Sequence, residues 1–139
     1  MPGKQRSKLI AVVDDNESMQ DSLGDLIESG GFEAKSFGSA KAFLDSDLHR
    51  TAACLIVDIR MPKMSGLELQ ARLKQQECTV PVIFITAFDD AEIRAQAMKE
   101  GAVEFLAKPF NHQRLLKLLR DTLNGETCGR VLPRLAIAS

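Results

Sequence analysis

Leu9-Ile10-Ala11-Val12-Val13-Asp14-Asp15-Asn16 is a run of five apolar residues that ends on two adjacent carboxylates and an amide. An unbroken aliphatic run of this length reads as a strand buried on both faces, as in a parallel sheet. Similar runs recur at residues 53–57, 82–85 and 103–106, and Glu33–Phe37 is a weaker fifth candidate. Helical spacing fills the gaps. Met19, Leu23, Leu26 and Ile27 form one apolar stripe; Ile93, Ala97 and Met98 form a second; Leu115, Leu118, Leu119 and Leu123 form a third. Shorter helices fit residues 39–45 and 66–76. Gly30-Gly31 and Gly101 are stop signals, and Ser39 and Asn111 are N-caps. Strand and helix therefore alternate five times. That pattern predicts an α/β fold, a doubly wound (βα)5 unit with one five-stranded parallel sheet covered on both faces.

The 139 residues make one ordinary domain, long enough to bury a core without disulfide or metal staples. Formal net charge is −1, so no basic field favours nucleic acid or anionic lipid. Three cysteines, Cys54, Cys78 and Cys128, show no paired spacing, which argues against a disulfide framework or zinc cage and for a reducing compartment. Cys54, inside an apolar run, reads as a small core residue. The apolar run after Lys4, Arg6 and Lys8 is too short for a signal peptide, and nothing approaches the roughly 20 residues of a membrane helix. The chain reads as soluble and cytoplasmic. Residues 1–7 read as an N-terminal extension and 8–124 as the folded domain. After Asn124-Gly125, residues 125–139 read as a loose C-terminal tail or the remnant of a linker, with an apolar patch of Val131, Leu132, Leu135 and Ile137 around Pro133.

In an open parallel sheet, ligands bind beyond the carboxyl ends of the strands. There the chain places Asp14, Asp15 and Asn16 after the first strand, and Asp58 with Ile59-Arg60-Met61-Pro62 after the third. Thr86-Ala87 follows the fourth strand and Lys108-Pro109 the fifth. Three close carboxylates repel one another, and a hard divalent cation resolves the conflict. Mg²⁺ (or Mn²⁺) binds through carboxylates plus substrate phosphate, which points to phosphoryl transfer. Asp58 would be the nucleophile, and Lys108 and Thr86 would hold phosphoryl oxygens. Singly, each feature also fits a duller role: a helix cap, a turn residue, a structural threonine, a solvated Lys-Pro turn. Their recurrence at four successive strand ends favours a shared site. His49 and His112 read as solvent-facing, and Met61 and Met64 as loop packing.

The blocks Val12-Val13-Asp14-Asp15-Asn16, Asp58-Ile59-Arg60-Met61-Pro62-Lys63-Met64-Ser65-Gly66, Val82-Ile83-Phe84-Ile85-Thr86-Ala87 and Phe105-Leu106-Ala107-Lys108-Pro109-Phe110 resemble the signature blocks of response-regulator receiver domains. The likeness runs in order over residues 8–123, and its wording is similar to the FixJ-type branch, whose receivers are commonly joined to a helix-turn-helix output domain.

The resemblance implies a flavodoxin-like (CheY-like) sheet of order 2-1-3-4-5 with Asp58 as phosphoacceptor. It implies Mg²⁺ held by Asp15, Asp58 and the backbone carbonyl of Arg60, with Asp14 acting through water. Lys108 would bridge to the phosphoryl group. Thr86 would be the switch hydroxyl and Phe105 the switch aromatic, although plain core packing also accounts for Phe105. Lys108-Pro109 would be a cis peptide. Arg60 and Phe88 would tune phosphoryl lifetime or form ordinary loop surface.

The implied partners are a sensor histidine kinase and a phosphorylation-linked homodimer through the helix-4/strand-5/helix-5 face. DNA would be met only through an output domain absent from this chain, and no membrane is implied. The chain is either a stand-alone receiver or part of a longer transcriptional regulator. It would be a signalling domain that promotes its own phosphorylation and dephosphorylation, not an enzyme. Other classes fit worse. A haloacid-dehalogenase-like phosphatase would carry Asp-x-Asp after its first strand, where this chain has adjacent Asp14-Asp15. A flavodoxin-like electron carrier would need a hydroxyl- and glycine-rich loop there and a Trp or Tyr to stack on flavin, and the chain has neither aromatic. Nothing in the sequence motivates a degenerate receiver.

Overall fold

A computed structural model describes residues 8–61, 63–87, 90–108 and 110–123. The elements are β1 (Leu9–Val13), α1 (Glu17–Ser29), β2 (Glu33–Phe37), α2 (Ala40–Asp45), β3 (Cys54–Asp58), α3 (Gly66–Gln75), β4 (Val82–Thr86), α4 (Ala91–Lys99), β5 (Glu104–Ala107) and α5 (His112–Leu123). All four strand pairings are parallel, and the sheet order is β2-β1-β3-β4-β5. This is the doubly wound, flavodoxin-like arrangement the sequence predicts. The N-terminal extension and the 125–139 tail fall outside the described residues.

Alternating side chains divide the sheet between two layers. On one face Ala11, Val13, Leu55, Val57, Phe84 and Phe105 pack under α2, α3 and α4 through Phe43, Leu69, Leu73 and Ala97. On the other, Ile10, Val12, Cys54, Ile56, Ile83 and Ile85 pack under α1 and α5 through Leu23, Ile27, Leu115 and Leu119. β1, β3 and β4 are central, which explains their continuous apolar sequences. β2 lies at an edge with partly exposed residues, and so has the weakest pattern.

The caps follow ordinary physical chemistry. Asn16, Ser39 and Asp90 accept hydrogen bonds from backbone N–H groups in the first turns of α1, α2 and α4. Ser65 and Glu68 form a reciprocal capping box on α3. Asn111 Oδ1 accepts from Arg114 N at 2.9 Å at the start of α5. After α1 the chain turns through Gly31 at φ 92°, a conformation that glycine adopts without strain.

Several expectations need correction. β3 is Cys54–Asp58, one residue later than read, and β5 ends at Ala107, because the ladders continue through Asp58↔Ile85 and Thr86↔Ala107. Backbone pairing does not depend on whether the side chain is polar. His49 is buried, not solvent-facing. It lies in a 3₁₀ turn at Leu48–Arg50, entered through Asp47 at φ 62°, and its ring meets Phe43 edge-on at 5.9 Å. Met98, counted in an apolar stripe, is 40% exposed. The α4 stripe is narrow, and Ala97 alone in that helix is fully buried.

Candidate functional site

Because the strands are parallel, their carboxyl ends share one edge of the sheet. β1 delivers Asp14 and Asp15, β3 Asp58, β4 Thr86 and β5 Lys108. Asp14, Asp58 and Thr86 are buried and Asp15 is exposed. One oxygen from each of the three aspartates lies within 4.8 Å of the others. Lys108 Nζ stands between two of them, 3.4 Å from Asp14 Oδ2 and 3.5 Å from Asp58 Oδ2. Both distances exceed the usual 2.7–2.9 Å of a charge-assisted bond, so the ammonium is shared and not seated on one carboxylate.

The backbone fixes each group. Asp14 N donates to Phe37 O, and Asp14 Oδ1 accepts from Asn16 N at 2.9 Å. Gln20 Nε2 donates to Asp14 O at 2.7 Å, which ties the β1–α1 turn to α1. Asp58 Oδ1 accepts from Arg60 N at 3.1 Å, closing the loop back onto the carboxylate. Lys108 N donates to Thr86 O at 2.7 Å, joining the ends of β4 and β5.

Gly66 sets the approach of α3. A Cβ there would lie 2.8 Å from Asp58 O and 3.0 Å from Ile59 Cα, closer than side-chain carbons normally come. Only a residue without Cβ lets the helix start this near the Asp58 backbone. The sequence placed Gly66 at the start of a helix, but the approach to Asp58 is a long-range fact. The same holds for Gln20, whose partner depends on how α1 leaves the sheet.

Burial pushes the Asp58 carboxyl above the ordinary aspartate range. The Lys108 charge and the Arg60 N–H pull it back, and the nearby Asp14 charge adds to the rise. The site therefore holds a carboxylate that is costlier to ionise than a free aspartate even with the Lys108 ammonium beside it. Three carboxylates with an exposed edge at Asp15 form an all-oxygen donor set that suits a hard divalent cation.

The sequence-predicted residues Asp14, Asp15, Asp58 and Lys108 come together, and Thr86 stands at the adjoining strand end. Phe105 is 2% exposed, in the layer under α4. Met61 and Met64 pack partly buried against that same layer, and His112 is exposed, both as read. Phe88 and Pro109, and with Pro109 the predicted cis peptide, lie outside the described residues.

The family model of the response regulator receiver domain matches residues 10–120. The chain belongs to this family. Among curated relatives, it is 43% identical over 114 residues to the transcriptional regulatory protein TdiR of Thauera aromatica, covering 82% of this chain and 50% of that one. It is 40% identical over 114 residues to the transcriptional regulatory protein FixJ of Bradyrhizobium diazoefficiens, covering 82% and 56%. The crystal structure of FixJ-N superposes with TM-score 0.77 at 35% identity, covering 86% of this chain and 95% of that one. The FixJ-type likeness is thus supported in sequence and in structure. The receiver spans about half the length of the curated relatives it matches. Receivers of this family are signalling domains of two-component regulators, and among the described residues no helix is long and apolar enough to cross a membrane.

Proposed function

We propose that Asp58 of this receiver accepts a phosphoryl group from a sensor histidine kinase or a small phosphodonor, with Mg²⁺ (or Mn²⁺) bound beside it. The observation that carries the reading is the shared Lys108 ammonium between Asp14 and Asp58, next to Asp15 on an open edge. The donor set fits a hard cation, which Asp15, Asp58 and the Arg60 carbonyl would hold, with Asp14 acting through water. When bound, the cation supplies charge neutralisation for the transferring phosphoryl oxygens.

This chain's own residues do the rest. An Asp58 carboxylate oxygen attacks phosphorus, and the new O–P bond forms as the bond from phosphorus to the donor atom breaks, a histidine nitrogen in the kinase or a carboxylate oxygen in acetyl phosphate. The electron pair of the broken bond stays on that donor atom. The Lys108 ammonium offsets the charge of the phosphoryl oxygens, and the Thr86 hydroxyl donates to one of them. Thr86 and Phe105 then act as the switch, and the α4-β5-α5 face changes its affinity for a partner or a second copy.

Residues 8–124 form the receiver, and 125–139 are its tail or the start of a linker. The domain works in the cytoplasm, alone or as the regulatory part of a transcriptional regulator whose separate output domain meets DNA. Intact-mass spectrometry after incubation with acetyl phosphate tests the reading. A single phosphoryl adduct is expected on wild type with Mg²⁺, none without Mg²⁺, and none on Asp58→Asn. No adduct on wild type with either acetyl phosphate or a phosphorylated kinase would overturn it. Sedimentation with a phosphoryl analogue tests the dimer, and a strictly monomeric chain would remove that part.

A further inference from the structure

Arg94 lies on α4, one turn after the Asp90 cap, and is half-buried. Its guanidinium carbon stands 4.8 Å from the centre of the Phe105 ring. Its Nη1 donates to the Phe105 carbonyl at 3.2 Å. One side chain thus grips both the ring and the backbone of a single β5 residue. A guanidinium over an aromatic face is attracted to the ring's negative quadrupole, and partial burial strengthens the attraction. The carbonyl bond fixes Arg94 where that attraction is available, and the ring contact is lost if the ring swings out from under α4 while the bond to the carbonyl remains.

α4 is also tied to α3 near its C-terminal end. The buried Gln70 of α3 donates to Ala97 O at 3.2 Å, and Lys74 pairs with Glu100 at 2.6 Å. Arg94 is therefore carried by a helix that is itself joined to α3.

We propose that Arg94 is a positioning residue that holds Phe105 in its buried orientation and so sets the balance of the switch. The inference rests on the proposed switching role of Phe105 and specifies what regulates it. Removing the guanidinium should raise the outward-to-buried ratio of the Phe105 ring by roughly ten-fold, given ordinary cation–π strengths.

The test is ¹⁹F NMR on the full chain labelled with 4-fluorophenylalanine. The Phe105 signal is assigned by its loss in Phe105→Leu, and ring exposure is read from the solvent-isotope shift. Arg94→Met keeps the apolar stem and removes the charge; Arg94→Ala removes both; Arg94→Lys keeps a cation without the planar fork. The expected result is an exposed Phe105 signal that grows in Arg94→Met and Arg94→Ala, with Arg94→Lys between them and wild type. An unmoved Phe105 signal in Arg94→Met would overturn the proposal, provided the other six of the seven phenylalanines stay unshifted and so report an intact fold. If Arg94→Ala does not fold, Arg94→Met decides alone. The measurement needs no phosphodonor. Failure of Asp58 to accept a phosphoryl group therefore leaves the Arg94 result standing. A phosphorylated Asp58 with an unmoved Phe105 signal removes the Arg94 proposal alone.

Discussion

The two ends of the sheet treat buried polar groups in opposite ways. At the carboxyl end, Asp14 and Asp58 are buried, and each finds Lys108 and a backbone N–H. At the amino end, His49 is 4% exposed, and neither ring nitrogen meets a hydrogen-bond partner among the described residues. Its surroundings are the Phe43 ring edge and, at its own carbonyl, the Cys78 thiol at 3.2 Å. Burying a polar group costs free energy unless it is paired, and burying charge costs more. The carboxyl end carries that cost with compensation. At the amino end no protein group among the described residues offsets it, and no buried Asp, Glu, Lys or Arg lies there. Polarity alone therefore does not mark function in this fold; convergence of complementary charges does.

The largest expected effect breaks the compensated end. Lys108→Ala leaves two buried carboxylates facing each other, and should lower stability by about 1–3 kcal/mol in urea unfolding without divalent cation. Added Mg²⁺ should restore part of the loss. Unchanged stability would mean that Asp14 and Asp58 do not depend on the ammonium.

The uncompensated end should respond in the other direction. His49→Leu replaces an unpaired imidazole with an apolar side chain, and should raise stability by about 1–2 kcal/mol. A loss of stability would show that the imidazole is paired after all and would erase the contrast.

Asp58→Asn sharpens the comparison through pH. Burial raises the Asp58 pKa in the fold, so the ionised form opposes folding. The fold is therefore relatively more stable below the unfolded pKa, and that advantage is lost as pH rises through the folded pKa. Asp58→Asn should melt a few degrees higher than wild type at neutral pH without Mg²⁺. The gap should close as pH falls below the ordinary aspartate range. A gap that widens in acid would reverse the sign assigned to this carboxylate.

The smallest effect lies at the first residue of β3. Cys54 is fully buried in the β3 layer, and burial pushes its thiol up to about 12. Iodoacetamide should leave it unmodified in the native chain while the partly exposed Cys78 reacts. Alkylation of Cys54 at a matching rate would mean that β3 opens readily.

The strands and the site edge were legible in the sequence for a shared reason. Central parallel strands need unbroken apolar runs, so any charge ending such a run stands at a sheet edge. Asp14 and Asp58 are visible in that way, and Lys108 follows the shorter run of the edge strand β5. The one-residue shift at β3 was not, because the backbone ladder carries Asp58 as readily as Val57. His49 was misread because its burial depends on a turn through Asp47 and on Phe43, neither of which shows in a local pattern. Gly66 and Arg94 are long-range cases: the first matters through the backbone of Asp58, the second through Phe105.

The most direct test of the central claim is borohydride reduction after acetyl phosphate and Mg²⁺ treatment, followed by peptide mass mapping. Reduction converts a phosphorylated aspartate to homoserine and so marks the acceptor itself. The account predicts homoserine at position 58 alone. Homoserine at Asp14 or Asp15, with Asp58 intact, would contradict it.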